Sequence, residues 1–408
     1  MRKVTIEQMK SILENLPNNP RVVASGNFAT PKTLLAALDS SLPEYRLNML
    51  NAQPGIPDRD GITYESAFVG AGMRHSPRLK YIPSRLSLVP LLLKEHFIPE
   101  VVLLHTSPAQ GGKVSLGTEV NVLPAAIESA RANGGLVIAQ ANSQMPYTFG
   151  DAEISADLID FFIEVDEPLD EKPAGQIGDT AREIGARISS QVENGSTLQL
   201  GIGGIPDSVI ELMRGRKDLR IYTEMFSDGL LGLQRSGALN AESPITASFV
   251  FGSRELYDWM HQNQSIRMMR TETTNDPGQI SKQPKMTSIN AALEVDLFDQ
   301  ANASFVRGEV YSGFGGSTDF IVGAMHAKGG KSFMALPSWH EKANKSTVVD
   351  HLSEHVTSFQ HSYVATENGL AACFGRTQGE QAWNIINHAA HPAAREWLTE
   401  AAKAKRLF

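Results

Sequence analysis

The chain alternates short apolar runs with amphipathic stretches over most of its length. Residues 21–25 (RVVAS), 97–105 (FIPEVVLLH) and 135–142 (GLVIAQAN) are rich in β-branched residues and bounded by Gly, Asn or Pro, which is typical of strands buried in a parallel sheet. Residues 123–134 (LPAAIESARANG) have apolar positions at helical spacing and end at a glycine. Strands that alternate with helices of this length predict βαβ units and a mainly parallel sheet.

The length of 408 residues predicts more than one domain. Residues 165–178 (VDEPLDEKPAGQIG) are rich in acids, proline and glycine and lack an apolar period, so we interpret them as a linker. The sequence therefore predicts one α/β domain over residues 1–170 and a second over residues 171–408. The second begins with an amphipathic helix that carries Ala181, Ile184 and Ile188 on one face, and it ends in helices interrupted at Pro392.

Charge and composition exclude several classes of function. The 37 Lys and Arg against 45 Asp and Glu give a net charge of −8 without a large basic block, which disfavours a nucleic-acid partner. No run approaches the roughly 20 apolar residues of a membrane span, and residues 1–16 lack the apolar core of a secretory signal. The single cysteine, Cys373, excludes an intramolecular disulfide and is interpreted as a small buried residue. A soluble cytoplasmic protein is expected.

A glycine turn separates a predicted strand from a predicted helix at Gly201, Gly203 and Gly204. Such a turn lets phosphates or an acyl group approach the backbone, next to the free N–H groups of the helix. Glu224 follows at about the distance of the ribose-binding acid in a dinucleotide fingerprint, which would suggest an NAD-dependent oxidoreductase. Pro206 occupies the sixth position of that pattern, where glycine is required, and opposes this interpretation. A turn without a ligand is the alternative.

Glu224 lies in residues 222–229 (YTEMFSDG), near the carboxyl end of a predicted strand, where ligands bind in open α/β sheets. A carboxylate there can act as a nucleophile, a base or a capping group. A second glycine-rich segment, residues 312–320 (SGFGGSTDF), can supply backbone N–H groups to an oxyanion hole, at φ values that only glycine tolerates, or can be a simple connection. His351 and His355 match an inverted zinc-peptidase spacing, but their flanks predict strands and turns, so we expect a solvated segment and no metal.

The order and spacing of many motifs together resemble the acetyl-CoA hydrolase/transferase family, which includes the 4-hydroxybutyrate-type CoA transferases. The motifs are HTSPAQGGKVSLGTEVNVLPAAI, QANSQMPYTFGDAEI, LQLGIGGIPDSV, IYTEMFSDG, FGSRELYDWM, NDPGQISKQPKMTSINAALEVDLFDQANA, SGFGGSTDFIVGA, ALPS and YVATENGLA. The similarity extends over roughly residues 21–376.

This resemblance implies two open α/β domains of the CoA-transferase type, with mixed or parallel sheets and the active site in the cleft between them. It implies ping-pong exchange of CoA between small carboxylic acids (4-hydroxybutyrate, butyrate, acetate, succinate or itaconate) through a glutamyl-CoA thioester on Glu224. The N–H groups of Ile202 and Gly316 would stabilise the oxyanion. The CoA and substrate contacts implied are Gly201, Gly203, Gly204, Gly313, Gly315, Met145 and Tyr147. A CoA thioester is then a substrate, with no metal or permanent cofactor, and a homodimer or higher homo-oligomer is expected.

The chain departs from the family pattern at three places. Many relatives have Arg where this chain has Tyr147, Gln-Val where it has Ser317-Thr318, and a basic residue where it has Phe374. These departures leave the acceptor acid open. The remaining alternatives are an acyl-CoA hydrolase in which Glu224 activates water, an NAD-dependent oxidoreductase, and a non-catalytic CoA-ester-binding protein, against which the intact Glu224 argues.

Overall fold

The computed structural model describes residues 1–172, 175–201, 203–356 and 360–408. The chain divides into two compact units, and each unit collects three separate segments. The first unit consists of Met1–Pro173, Ile245–Thr274 and Val310–Gly315, and the second of Ala174–Pro244, Asn275–Glu309 and Gly316–Phe408. The units are therefore discontinuous in sequence, whereas the division expected at 170/171 has a single boundary.

An eight-stranded sheet forms the centre of the first unit. Its strands in chain order are β1 (Arg2–Lys3), β2 (Arg21–Ala24), β3 (Tyr45–Asn48), β4 (Ile62–Ser66), β5 (Leu79–Tyr81), β6 (Val101–Thr106), β7 (Leu136–Asn142) and β8 (Phe161–Val165). Their order across the sheet is β1-β8-β7-β6-β2-β3-β4-β5, and all neighbours are parallel. The parallel α/β architecture predicted from the apolar runs is confirmed, and β2, β6 and β7 correspond to the three apolar runs that predicted strands in this unit.

A six-stranded sheet forms the centre of the second unit. Its strands are β9 (Thr197–Gln199), β10 (Arg220–Ile221), β11 (Thr287–Ala291), β12 (Lys331–Ala335), β13 (Tyr363–Thr366) and β14 (Gly369–Ala372). The order is β10-β9-β11-β12-β13-β14, and only the final pair is antiparallel in this sheet. Because the first five strands are parallel, the segments that follow them meet at one edge of the sheet, where ligands bind in such folds.

Helices cover the two sheets in the described residues. In chain order they are α1 (Ile6–Leu13), α2 (Lys32–Ser41), α3 (Val89–Glu95), α4 (Leu123–Ala132), α5 (Asp179–Ser190), α6 (Gly204–Leu212), α7 (Gly229–Arg235), α8 (Arg254–Met260), α9 (Thr271–Thr274), α10 (Pro277–Ile280), α11 (Ser317–His326), α12 (Gln378–Asn384) and α13 (Pro392–Ala404). Among these helices, none is long and apolar enough to cross a membrane.

Local sequence explains several of these helices. In α5 the apolar positions Ile184 and Ile188 are fully buried, and Gly185 between them lets α6 approach, since a Cβ there would overlap Ser208. Pro392 is the first residue of α13, where its missing N–H costs nothing. A five-residue π turn (Ile385–Ala389) precedes it, so the predicted interruption of the carboxy-terminal helix is present.

The structure also shows the surroundings of two minor candidates from the sequence, the pair His351 and His355, and Cys373. His351 pairs with Asp350 at 2.8 Å, and His355 packs its ring edge-on against Phe305, in a segment without helical structure. In the described part of the chain, no group of three or more His, Cys, Asp or Glu side chains is placed to hold a metal ion. Cys373 is fully buried, and burial together with the nearby Asp299 raises the pKa of its thiol.

Candidate active site

Glu224 lies three residues beyond β10, at the carboxyl edge of the second sheet. The preceding residue, Thr223, is fully buried and ties this segment to the end of β9, because its Oγ1 accepts the N–H of Leu200 at 3.1 Å and lies 2.9 Å from the carbonyl oxygen of Met225. The backbone on both sides of Glu224 is therefore fixed beside the segment that leads into the glycine turn.

The Glu224 carboxylate contacts two residues from distant parts of the sequence. The Nδ2 group of Asn275, which is fully buried, donates a hydrogen bond of 2.9 Å to Glu224 Oε2. The backbone of Gly316 lies against the same groups, since a Cβ at this position would overlap both Glu224 Oε2 and Asn275 Nδ2. The second unit thus brings together Glu224 and Gly316, two of the three residues predicted to be catalytic.

Gly316 needs to be glycine for a different reason from the one that its sequence suggests. Its φ of −103° is accessible to any residue, whereas Gly313 and Gly315, which belong to the first unit, have φ of 108° and 58°. At Gly316 the constraint is space beside the carboxylate, and at Gly313 and Gly315 it is the backbone conformation as well. The expectation that backbone conformation requires glycine throughout this segment is wrong at Gly316.

Opposing electrostatic effects act on Glu224, which is half-buried. Burial raises the pKa of Glu224 to about 7, the hydrogen bond from Asn275 lowers it, and the negative charge of Asp319 raises it. Asp319 is buried in the first turn of α11, the helix whose N-cap is Gly316. The first N–H groups of a helix have no partner within the helix and favour negative charge. The site therefore holds a carboxylate that can be either protonated or ionised near neutral pH.

The predicted glycine turn lies at the end of the neighbouring strand β9. Gly203 has a φ of 119° and is the N-cap of α6, and Gly204 is the first residue of that helix. Gly201 precedes them, two residues beyond the end of the strand. A Cβ added at Gly201 would be in ordinary contact with the Pro206 ring and the carbonyl oxygen of Ile289. Ile202 lies outside the described residues, so its role as an oxyanion donor stays a prediction.

Polar residues also follow β12 and β13 at the same edge of the sheet. No functional role was predicted for them from the sequence. Glu367 accepts a hydrogen bond of 2.9 Å from the N–H of Ser338, and Asn368 Nδ2 donates to Ser338 Oγ at 2.8 Å. These bonds join the ALPS and YVATENGLA motifs. A polar residue directly after an apolar strand is the signal that could have found them. Asn275 and Asp319 carry no comparable local signal.

The remaining predicted residues lie in the first unit, in two different surroundings. Gly313 packs against Ala67 O and the Tyr81 ring, and Gly315 packs against the Phe68 ring. Met145 and Tyr147 instead follow β7, and Met145 fills the space that a side chain at Gly117 would need.

Tyr147, where many relatives have Arg, is buried and already has a partner. Its hydroxyl donates to Glu153 Oε1 at 2.9 Å, and its N–H donates to His261 Nδ1 at 3.1 Å. Burial and the neighbouring Glu153 raise the pKa of Tyr147 to about 12. Tyr147 therefore contributes neither a positive charge nor a free hydroxyl in this conformation.

Comparisons with known proteins indicate one family over most of the chain. Residues 6–169 match the acetyl-CoA hydrolase/transferase N-terminal domain, and residues 252–402 match the corresponding C-terminal domain. The 4-hydroxybutyrate coenzyme A transferase of Clostridium kluyveri is 35% identical over 97% of this chain and 96% of its own length. A succinyl-CoA:acetate/propanoyl-CoA:succinate CoA transferase of Fasciola hepatica is 34% identical over 95% of this chain and 85% of its own.

Solved structures agree with these sequence relatives. The crystal structure of RipA from Yersinia pestis has a TM-score of 0.91 at 27% identity, covering 100% of this chain and 98% of that one. A 4-hydroxybutyrate CoA-transferase from Porphyromonas gingivalis has a TM-score of 0.83 at 30% identity, with the same coverage. The chain belongs to the acetyl-CoA hydrolase/transferase family.

Proposed function

We propose that this protein transfers CoA from an acyl-CoA to a carboxylic acid, with Glu224 as the covalent carrier. The observation that carries the proposal is the contact among the Glu224 carboxylate, the Asn275 amide and the Gly316 backbone. Asn275 engages one carboxylate oxygen and leaves the other for attack. Gly316 lets the start of α11 lie directly against the group that reacts.

In the first half-reaction an ionised oxygen of Glu224 attacks the thioester carbonyl carbon. The C–S bond breaks, and CoA thiolate leaves an acyl-glutamyl anhydride. The thiolate then attacks the glutamyl carbonyl carbon, which releases the first acid as its carboxylate and forms a glutamyl-CoA thioester. A second carboxylate reverses these steps and leaves as the new acyl-CoA. The thioester energy is conserved on the enzyme, and each tetrahedral intermediate carries an oxyanion that backbone N–H donors stabilise.

The names of the relatives support small carboxylic acids as substrates. They include enzymes for 4-hydroxybutyrate, for succinate with acetate or propanoate, and for butyrate with acetate. Tyr147, which stands where many relatives have arginine, distinguishes this chain within that range. A homodimer or higher homo-oligomer in the cytoplasm is part of the same proposal.

Hydrolysis is the second candidate, because an acetyl-CoA hydrolase of Saccharomyces cerevisiae is 31% identical over 51% of this chain. The test measures both free thiol and new acyl-CoA formed from acetyl-CoA, with and without an added acid, for the wild type and for Glu224→Gln. Glu211→Gln is the matched control, because Glu211 is exposed on α6 of the same unit. If the protein is a transferase, the added acid becomes a CoA thioester with the wild type and with Glu211→Gln. Only Glu224→Gln then loses this activity. Thiol release that is unchanged by any acid, with no new acyl-CoA formed, would establish hydrolysis instead.

A further inference from the structure

A pocket of about 460 Å³ lies on the second unit, where no predicted catalytic residue is found. Alternate residues of the edge strand β14, Ala372 among them, form one side. Helix α12 contributes Glu380 and Trp383, the π turn contributes His388, and Arg376 lies in the segment that joins β14 to α12. A volume of this size is in the range of small-molecule sites.

The pocket is separate from the Glu224 site. Strands β14 and β10 are the opposite edges of the six-stranded sheet, so about 24 Å lies between them at the usual strand spacing of about 4.8 Å. Ala372 also pairs with Tyr363, the first residue of β13, and so marks the amino edge of the parallel strands. Glu224 is at the carboxyl edge.

Charged groups with free bonding capacity line this pocket. The Arg376 side chain is exposed, and within the described residues its guanidinium makes neither a hydrogen bond nor an ion pair. Glu380 uses Oε2 to accept the N–H of Thr377 at 2.8 Å and its hydroxyl at 2.9 Å, which leaves Oε1 as an acceptor. These bonds lower the pKa of Glu380, so its carboxylate is ionised at neutral pH.

An aromatic surface lies beside these charges. Trp383 is 50% exposed, although indole is among the most favourable groups to bury. His388 packs edge-on against it, with ring centroids 5.5 Å apart and an interplanar angle of 73°. The π turn sets this arrangement, and such turns occur frequently at functional sites. Asn384 donates its Nδ2 to the carbonyl oxygen of Ala372 at 2.8 Å, which leaves its Oδ1 as a fixed acceptor.

We propose that this pocket binds a nucleotide, with the base on Trp383, a ribose hydroxyl on Glu380 and a phosphate on Arg376. An aromatic surface for the base, a carboxylate for the ribose and an arginine for the phosphate are the groups that nucleotide recognition uses. A simple aromatic acid fits less well, because it would leave the acceptors Glu380 Oε1 and Asn384 Oδ1 without donors. The nucleotide is either a free one or the nucleotide end of a CoA ester.

The test titrates ADP and adenosine 3′,5′-bisphosphate, the nucleotide end of CoA, into the full-length protein by calorimetry. The variants are Arg376→Gln and Trp383→Leu. The matched controls are Arg307→Gln and Trp397→Leu, which change exposed side chains of the same unit outside the pocket. We expect each pocket variant to weaken binding about tenfold or more and each control to leave it unchanged, with folding checked by circular dichroism.

The two sources of nucleotide are distinguished by kinetics. Preferred binding of the bisphosphate, with a higher KM for acetyl-CoA in Arg376→Gln, assigns the pocket to the end of CoA, and preferred ADP binding with an unchanged KM assigns it to a free nucleotide. The proposal is overturned if neither probe binds, or if the pocket variants bind as the controls do. It is also overturned if Trp383→Leu merely converts an oligomer into smaller species on size-exclusion chromatography. Calorimetric binding of the two probes does not depend on turnover at Glu224, so a failure to bind is distinct from a failure of the proposed function.

Discussion

At the scale of single residues, the proposed reaction requires Glu224 to be ionised, although its surroundings favour the neutral form. Burial and Asp319 both raise the pKa of this carboxyl, and only the Asn275 hydrogen bond opposes them. A nucleophile with a pKa near the working pH combines a large reactive fraction with high basicity. Half-burial therefore fits a reactive carboxylate better than a capping group.

The first prediction concerns pH. Because only the carboxylate attacks, kcat/KM for acyl-CoA should rise about tenfold per pH unit below about pH 7 and level off above it. Asp319→Asn removes a negative charge that raises the pKa of Glu224, so the rising limb should move to lower pH. Asp179→Asn, an exposed acid in the first turn of α5, is the control. Two results would contradict this account. One is a wild-type kcat/KM that already levels off near pH 4.5, and the other is a rising limb that moves to higher pH in Asp319→Asn.

The second prediction concerns Gly316. In Gly316→Ala the new Cβ must displace the Glu224 carboxylate or the Asn275 amide, because both occupy its position. A misplacement near 1 Å can cost about 10²-fold in rate, so we expect kcat to fall by about that factor or more. Turnover per folded molecule is the measurement, with the folded fraction taken from circular dichroism. Full turnover in a folded Gly316→Ala protein would remove this backbone from the site.

At the scale of elements, the packing of α11 determines the position of Gly316, because Gly316 is the N-cap of this helix. Gly323 of α11 packs on Ile280 of α10, so closely that a Cβ would overlap the isoleucine side chain. Helix α10 begins two residues after Asn275. The contact between these helices therefore helps to position Gly316 and Asn275, which both lie against the Glu224 carboxylate.

The third prediction follows from that contact. Gly323→Ala should force α10 and α11 apart and lower the free energy of unfolding by about 1–3 kcal/mol, the usual cost of overpacking. Thermal or urea denaturation measures it. In a double-mutant cycle with Ile280→Ala, which removes the Cγ2 that the new Cβ meets, the combined loss should be smaller than the sum of the two single losses. Gly215→Ala, which adds a Cβ in open space, should stay within about 0.5 kcal/mol of the wild type. Equal losses in the two glycine-to-alanine variants would show that the helix contact is unimportant.

Sequence patterns predicted the elements better than their assembly. The apolar runs at β2, β6 and β7 and the amphipathic pattern of α5 report a buried face, which is a local property. Hydrophobic periodicity contains no information on which sheet a segment joins, so the return of Ile245–Thr274 to the first unit was not predicted. Glu224 was selected from its position at a strand end, and the resemblance then implied catalytic roles for Glu224 and Gly316. Asn275 was missed because its function comes from a neighbour far along the chain.

At the scale of the whole molecule, sequence similarity to a 4-hydroxybutyrate CoA transferase covers 97% of the chain. The fourth prediction concerns the full catalytic cycle. Because one carboxylate carries CoA between two acids, double-reciprocal plots should be parallel. Labelled acid should also exchange into its acyl-CoA without a second substrate. Intersecting lines together with no such exchange would indicate that both substrates bind before any transfer.

The most direct test is to find CoA on Glu224. The protein is incubated with acetyl-CoA and no acceptor, digested with trypsin, and examined by mass spectrometry for the peptide of residues 221–235, which contains Glu224 and one other acid, Asp228. We expect this peptide to carry a CoA adduct that fragmentation places on Glu224, and Glu224→Gln to give none. An unmodified peptide from a sample that is exchanging acid with acetyl-CoA, or an adduct on Asp228, would contradict the central claim.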